Sequence, residues 1–222
     1  MSENALVVIP ASDLLTVMPY RADEGDVRYY LAGIVIEPVE SGGCMLVASD
    51  GHTMGVIFSK EARCDKARIL NVSREFHRAM RDDGFTDDLR VKVKDGNSRA
   101  TLHGCDGTER FVMPGDPFID GKIIEWRKVI PPLEHLKPGS PAQLAARYLA
   151  RLGRSVLEQR RNGVTFWQDE RDPKTRVVVV RYEYIPELVV LIMPLRQDVE
   201  TTWPAWYPKG EKPAEKPAEA AA

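Results

Sequence analysis

Short apolar runs divided by turn residues follow one another along the chain, and their order predicts a unit of one strand, one helix and three strands. Pro10 precedes a short first helix, and Pro19 ends it. Asp50-Gly51 is a tight-turn signal between two apolar runs. The first unit is predicted to comprise a strand at 5–9, a helix through Leu14, Leu15 and Met18, and strands at 28–37, 44–49 and 53–59.

The same order of elements is predicted twice more. The second unit has a strand at 67–72, a helix at 73–82, and strands at 89–94, 99–103 and 110–113. The third has a short strand near 133–136, a helix from Ser140-Pro141 to about Gly153, and strands at 164–168, 175–184 and 188–193. Serine before proline is typical of a helix start. The pattern therefore predicts an α+β fold, with helices on one face of antiparallel sheets.

The second and third predicted helices carry arginines at the same spacing of i, i+4 and i+7, which places them on one helix face. These residues are Arg74, Arg78 and Arg81 in the second helix and Arg147, Arg151 and Arg154 in the third. One basic helix face alone is often only a solvated surface. Two faces in the same register favour contact with a polyanion, and evenly spaced arginines suit the phosphates of duplex DNA without reading its sequence.

Composition changes this picture in three ways. With 222 residues, 43% of them hydrophobic, the chain is long enough to bury a core, and 31 Lys+Arg against 33 Asp+Glu exclude a surface that is basic all round. The sequence has no apolar run long enough for a membrane helix and no leader pattern, so we expect a cytoplasmic protein that does not bind membranes. Cys44, Cys64 and Cys105 lack metal-ligand spacing, and we expect reduced thiols.

Candidate chemistry is sparse. Asp50-Gly51-His52 could support acid–base chemistry, but Asp-Gly is a turn signal and His52 restarts a strand. A second polar cluster, at His103, Cys105 and Asp106, lacks the partners of a metal site. The sequence has no nucleotide-binding glycine loop, zinc-protease motif or nucleophile elbow. We therefore expect no catalytic residue, no metal and no cofactor.

Four segments, in order along the chain, resemble the bacterial sliding clamp family, the beta subunit of DNA polymerase III. DVRYYLAGIVIE and LVASDGHTMGV resemble signatures of that family's middle domain. WRKVIP resembles the segment that links its middle and last domains, and LVVLIMPLR resembles its C-terminal strand. The resemblance implies a DNA clamp fold, in which helices line a hole for duplex DNA and sheets lie outside.

The unit count departs from that family, whose subunit has three domains of two units each. By resemblance, residues 1–122 correspond to the middle domain, and residues 123–198 correspond to the link and half of the last domain. Residues 199–222 are expected to form a flexible tail of Pro, Lys, Glu and Ala. If a closed ring needs twelve units, three per chain predict a homotetramer, although a dimer or monomer stays open.

The resemblance also implies a peptide-binding pocket between the middle and last domains. The matching positions are Leu31, Ser49, Gly51, His52, Thr53, Met54, Trp126, Lys128, Val129, Leu191, Met193, Pro194, Leu195 and Arg196. Thr53 stands where the family commonly has arginine, and Trp126 stands where it commonly has tyrosine. Each apolar member could instead be ordinary core packing, but the set as a whole favours an adaptable apolar groove with a charged rim.

The leading hypothesis is a short sliding clamp that encircles DNA as a homo-oligomeric ring and tethers a DNA polymerase, a clamp loader or other proteins through this pocket. Such a compact clamp would suit a phage or mobile element. The alternative is a clamp-like regulator that never closes on DNA and captures clamp-binding peptides. A third reading is an enzyme that uses Asp50 and His52. The aromatic trio Trp203, Trp206 and Tyr207 could pack on the body of the protein or act as a docking peptide.

Overall fold

A computed structural model of the chain describes residues 5–82, 89–94, 99–139, 144–155, 163–169, 171 and 177–195. Within these residues it contains three α-helices and two antiparallel sheets. The helices are α1 (Ala11–Val17), α2 (Arg74–Asp82) and α3 (Ala146–Leu152). The strands are β1 (Ala5–Pro10), β2 (Ile34–Pro38), β3 (Cys44–Ser49), β4 (Thr53–Ser59), β5 (Arg63–Cys64), β6 (Arg68–Leu70), β7 (Arg90–Lys94), β8 (Ala100–His103), β9 (Glu109–Val112), β10 (Leu136–Pro138), β11 (Val164–Asp169), β12 (Val178–Tyr182) and β13 (Leu188–Ile192). The α+β class predicted from the sequence is confirmed.

The first two units exchange their opening strands. The five-stranded sheet has the order β5-β1-β7-β8-β9, so the first strand of unit one pairs with unit two. The eight-stranded sheet has the order β10-β11-β12-β13-β4-β3-β2-β6, so the first strand of unit two pairs with unit one. Each unit therefore completes the sheet of the other.

The third unit joins the first through the antiparallel pairing of β13 with β4. Five residue pairs form this seam, from Leu188 opposite Ile57 to Ile192 opposite Thr53. The seam makes one continuous sheet from the strands of units one and three. It also brings the C-terminal strand beside the Asp50-Gly51 turn, because β4 begins directly after that turn.

The eight-stranded sheet is covered on both faces, which explains why its central strands are apolar at nearly every position. On the face that carries the helices, Leu46 and Ala48 of β3 join the main core with apolar residues of α1 and α2. On the opposite face, Val47 of β3 joins a second core that includes Leu191 and Trp126. Residues 119–130 cross this second face and cover part of it.

The three cysteines are free thiols. Cys44 on β3 and Cys64 on β5 belong to different sheets, and their sulfur atoms lie 3.4 Å apart. Burial raises the pKa of the Cys64 thiol to about 12, with a further contribution from the neighbouring thiol. Both therefore behave as packed, protonated thiols at neutral pH.

Two predicted strands begin as 3₁₀ turns. The prediction of a strand from residue 28 is wrong for Tyr29–Ala32, which form a 3₁₀ helix. The reason is tertiary, because the Arg28 guanidinium binds Asp26 and the Asp50 carbonyl, and Leu31 N–H closes a turn on the Arg28 carbonyl at 2.8 Å. Leu133–His135 are likewise 3₁₀, ahead of β10.

The third helix is shorter than predicted. Ser140 and Pro141 lie outside the described residues. Ala145 is extended, with ψ 128°, and α3 begins only at Ala146. Leu144 and Ala145 pack against the main core. Because they precede the helix, a loop makes the apolar contact that was predicted for the first turn of the helix.

A buried chain of hydroxyl groups joins units one and three. Ser155 Oγ donates to Tyr20 Oη at 2.7 Å, Tyr20 lies 3.1 Å from Tyr182 Oη, and Tyr182 donates to the Leu152 carbonyl at 2.9 Å. Burial raises the pKa of both tyrosines, so both stay protonated. Gly55 on β4 makes room for the Tyr20 ring, because a Cβ there would collide with Tyr20 Cδ2.

We expect Gly55→Ala to lower the free energy of unfolding by about 2 kcal/mol, because the added methyl group displaces Tyr20 and breaks the hydroxyl chain. Gly25→Ala is the matched control, since nothing lies within 4 Å of a Cβ at that position. Urea denaturation of both variants measures the difference. Equal stability of the two would contradict the packing role assigned to Gly55.

Candidate functional site

A groove opens on the second face of the eight-stranded sheet, between residues 119–130 and the seam of β4 with β13. We call it the link groove, and it has a volume of about 240 Å³. Its wall is mostly apolar, with polar groups at one end. The lining residues are Arg28, Tyr30, Leu31, Ser49, Gly51, His52, Thr53, Met54, Ile124, Trp126, Val129, Val177, Leu191 and Met193.

The floor and one wall of the link groove are fixed by backbone pairing and by a buried indole. Met54 lies directly opposite Leu191 in the seam. Trp126 Nε1 donates to Glu37 Oε2 at 2.9 Å, and the Arg127 guanidinium stacks 4.1 Å from the Trp126 ring while it donates to the other Glu37 oxygen. The Trp126 ring is therefore held in place before any ligand arrives, which lowers the entropic cost of binding.

The polar end of the groove is the Asp50-Gly51-His52 turn. Asp50 Oδ1 accepts from the backbone N–H groups of His52 and Thr53 and from Thr53 Oγ1. Asp50 Oδ2 accepts from Arg151 Nη1 at 2.6 Å. Burial opposes ionisation of Asp50, but these N–H donors and the Arg151 charge outweigh it and hold the pKa of the carboxyl below its usual value.

The backbone conformation favours glycine at position 51. Its φ is +84°, and a Cβ there would collide with Arg28 Nη1. The Arg28 guanidinium lies against this turn and also donates to the Asp50 carbonyl at 2.9 Å. The turn therefore holds a cation at the rim of the link groove.

On the helix-bearing side of the molecule, α2, α3 and the chain that follows α1 surround a second cavity of about 450 Å³, which we call the arginine cavity. Four of the six predicted arginines line it, namely Arg74, Arg81, Arg151 and Arg154. Arg21 and His77 also line it and were not predicted. Arg78 and Arg147 are exposed beside it without lining it.

The cations of the arginine cavity differ in their partners. Arg74 pairs with Glu24 at 3.1 Å, and Arg21 Nη1 donates to the Val72 carbonyl at 2.7 Å. The side chains of Arg81 and Arg154 have no hydrogen bond or ion pair to any residue that the structure describes, which leaves them available to an anion. Burial, together with the charges of Arg21 and Arg81, lowers the pKa of His77, so it is neutral at pH 7.

Comparison with known proteins adds to this geometry. No protein-family model matches the sequence, and no curated protein matches it. Solved structures of DNA polymerase sliding clamps do match the fold of this chain, including those from three bacteria. The clamp of Pseudomonas aeruginosa is 16% identical with a TM-score of 0.57, over 86% of this chain and 66% of that one. The clamp of Bartonella birtlesii bound to griselimycin is 14% identical with a TM-score of 0.62, over 89% and 68%. The clamp of Bacillus subtilis is 14% identical with a TM-score of 0.59, over 88% and 65%.

The chain has the sliding-clamp fold. It spans about two thirds of the length of the clamps that it matches. The fold class implied by the sequence resemblance is therefore confirmed. The roles assigned to individual residues stay predictions.

Within the clamp fold, ten residues of the predicted pocket meet around the link groove. They are Leu31, Ser49, Gly51, His52, Thr53, Met54, Trp126, Val129, Leu191 and Met193. Lys128, Pro194 and Leu195 lie near it in sequence without lining it, and Lys128 pairs with Glu125. Arg196 lies outside the described residues.

The sequence reading missed four residues of the groove. They are Arg28, Tyr30, Ile124 and Val177. Both Arg28 and Tyr30 precede Leu31, and they enter the groove where the chain forms a 3₁₀ turn, with Arg28 at its N-cap, and not a strand. Ile124 precedes Trp126 by two residues, and Val177 immediately precedes β12, beside the seam strand β13. Neither Ile124 nor Val177 belongs to a segment that resembles a clamp signature, so nothing in the sequence pattern pointed to them.

Candidate catalytic groups have structural partners in this clamp fold. Both carboxylate oxygens of Asp50 are occupied, and the His52 ring stacks on Tyr148 with centroids 6.1 Å apart. His103 bonds Thr101 Oγ1 and the Gly107 carbonyl. Among the described residues, no three His, Cys, Asp or Glu side chains are grouped to hold a metal ion, and none of the helices is long and apolar enough to cross a membrane.

Arg151 connects the two sites. It lines the arginine cavity, yet its guanidinium binds Asp50 and Thr53 Oγ1 at the polar end of the link groove, and only 18% of its side chain is exposed. The sequence pattern did not predict that Arg151 would bind Asp50 and Thr53. Among the described residues, no hydrogen bond or ion pair joins the other five predicted arginines to the Asp50-Gly51-His52 turn.

We expect Asp50→Asn and Arg151→Met each to lower the free energy of unfolding by about 2 kcal/mol, because each leaves a half-buried charge or dipole unpaired. The double variant should lose less than the sum of the two. Arg78→Met, which changes an exposed arginine of α2, should change stability little. Urea denaturation checks this cycle, and full additivity would contradict a direct pair.

The same pair predicts a pH dependence. The folded pKa of Asp50 lies below its unfolded value, so its contribution to stability is present at neutral pH and is lost as pH falls through the folded pKa. Unfolding midpoints measured from pH 7 down to pH 3 should fall more steeply in the parent chain than in Asp50→Asn. Parallel profiles would show that Asp50 is not the titrating group.

Proposed function

We propose that this protein is a sliding clamp, a non-enzymatic ring that encircles duplex DNA in the cytoplasm and tethers DNA-processing proteins to it. The observation that carries the proposal is the placement of two sites on one clamp fold. The arginine cavity lies on the helix-bearing side, and the link groove lies on the other face of the shared sheet. A clamp needs one surface for DNA and a separate surface for partners.

The charge distribution supports DNA contact through the helices. Arg81 and Arg154 come from different units and line one cavity without partners among the described residues. Exposed Arg78 and Arg147 extend this basic surface along both helices. Contacts of this kind bind phosphate through charge, so they hold duplex DNA of any sequence and weaken with added salt.

Unit counting supports a homotetramer. The described chain has three strand–helix–strand units, and a ring of twelve would take four chains. The five-stranded sheet ends at β9, which pairs with no further described strand. Such edges offer backbone N–H and C=O groups to a neighbouring copy, and repeated head-to-tail contacts close a ring when the rotation per copy fits.

The link groove supports a tethering role. An apolar groove with a fixed aromatic wall and a cationic rim suits a short extended peptide with apolar anchor residues. We propose that a DNA polymerase, a clamp loader or another replication protein supplies that peptide. The sliding clamp of Bartonella birtlesii binds griselimycin. We propose that this chain binds griselimycin in the link groove.

The DNA-facing assignment predicts that Arg81→Gln combined with Arg154→Gln weakens retention on circular duplex DNA. The slope of log affinity against log salt should become shallower by about 0.9 for each phosphate that the variant no longer neutralises. Retention is measured by co-elution with fluorescent nicked circles across a salt series. The charge-matched control is Arg63→Gln with Arg99→Gln, two exposed arginines on or beside strands of the five-stranded sheet.

The topological part of the proposal predicts that cutting the circle releases the parent protein, because a ring slides off free ends. If the cavity variant retained DNA as well as the control does, the helices would not face DNA. If linear and circular DNA held the protein equally, it would bind without encircling them.

A further inference from the structure

The described chain ends at the rim of the link groove. Met193 N–H donates to the His52 carbonyl at 2.8 Å, which ties the end of β13 to the groove turn. The side chain of Met193 lines the groove and is 38% exposed, and Leu195 is 49% exposed two residues later. Everything that follows Leu195 therefore starts beside an open apolar groove.

The sequence after this point contains a segment that suits such a groove. Seven residues, RQDVETT, are followed by WPAWYP at residues 203–208, which we call the aromatic segment. It holds two of the four tryptophans of the chain and one tyrosine. Its two prolines favour an extended conformation, so little conformational entropy is lost on binding.

We propose that the aromatic segment occupies the link groove of its own chain and competes there with partner peptides. This inference rests on the proposed function, because it assigns a regulator to the same groove. The wall of the groove presents Trp126, Tyr30 and His52, against which the rings of Trp203 or Trp206 would stack. The tail would then act as a built-in competitor that a tighter partner peptide must displace.

Chain length permits this contact in cis. Seven residues span at most about 25 Å when extended, and the chain already starts at the rim, so the aromatic segment reaches the groove without strain. A short flexible link gives an effective concentration of the order of millimolar. A segment with an intrinsic Kd of about 100 μM would therefore fill its own groove about nine-tenths of the time and weaken a competitor about tenfold.

The first experiment uses 5-fluorotryptophan in the full chain and ¹⁹F NMR, with Trp203→Phe and Trp206→Phe to assign the tail signals. Met193→Glu places a charge on the exposed groove rim, and it should move the tail signals to those of the free peptide WPAWYP. Leu133→Glu is the control, because Leu133 is 79% exposed and lies outside the groove. The Trp167 signal reports that both variants stay folded. Tail signals that already match the free peptide in the parent chain would overturn the proposal.

The second experiment measures binding of a fluorescein-labelled peptide of residues 202–208 to two truncated chains. One chain ends at Thr202 and lacks the aromatic segment, and the other ends at Lys209 and keeps it. We expect about tenfold tighter binding to the shorter chain. Equal binding of the peptide to both chains would overturn occupancy of the groove in cis. NMR signals of the tail that change with protein concentration would also overturn it, because they would indicate that the tail of another copy fills the groove.

A parallel titration with griselimycin separates failure of the tail from failure of the groove. If the chain ending at Thr202 binds griselimycin but not the peptide, the groove functions and the tail is not its occupant. If it binds neither, the proposed function of the groove fails as well. Tighter griselimycin binding after removal of the aromatic segment supports both the groove as a binding site and the aromatic segment as its occupant.

Discussion

The antiparallel pairing of β4 with β13 is the contact on which the rest of the structure depends. Units one and two hold each other by exchanged strands, but the third unit has no such exchange among the described residues. Its β13 is attached through five residue pairs along β4. Behind this seam, the hydroxyl chain through Tyr20 and Tyr182 fixes α3 beside the first unit. Backbone pairing therefore sets the register, and a buried polar network sets the position of the helix.

Both candidate sites follow from that register. On one face of the sheet, the seam brings Met54 beside Leu191 and forms the floor of the link groove. On the other, it brings α3 close to the chain after α1, so that arginines from two units line one cavity. The ion pair of Arg151 with Asp50 passes between the two sites. One guanidinium group therefore contacts the Asp50-Gly51-His52 turn while its side chain lines the arginine cavity.

Much of this arrangement could be predicted from the sequence. Apolar runs and turn residues located most strands, because sheets buried on both faces leave long apolar stretches. Ten groove residues could be named, because they lie in segments that resemble clamp signatures at strand ends. The 3₁₀ turn at Tyr29–Ala32 could not be predicted, since Arg28 stabilises it through a contact with Asp50. Identical arginine spacing in two helices also did not reveal the bond of Arg151 with Asp50, because the two residues lie 101 positions apart in the sequence.

The proposed function makes this chain of three units one part of a larger assembly. The five-stranded sheet ends at β9 among the described strands, arginines of two units line one cavity, and the link groove opens on the other face of the shared sheet. In the proposed function, copies of the chain close into a ring, because topological retention on DNA depends on closure. Light scattering across a concentration series gives the absolute mass in solution. Four chains of 25.0 kDa predict a particle of about 100 kDa. A stable mass of 25.0 kDa at every concentration would contradict the self-assembled ring.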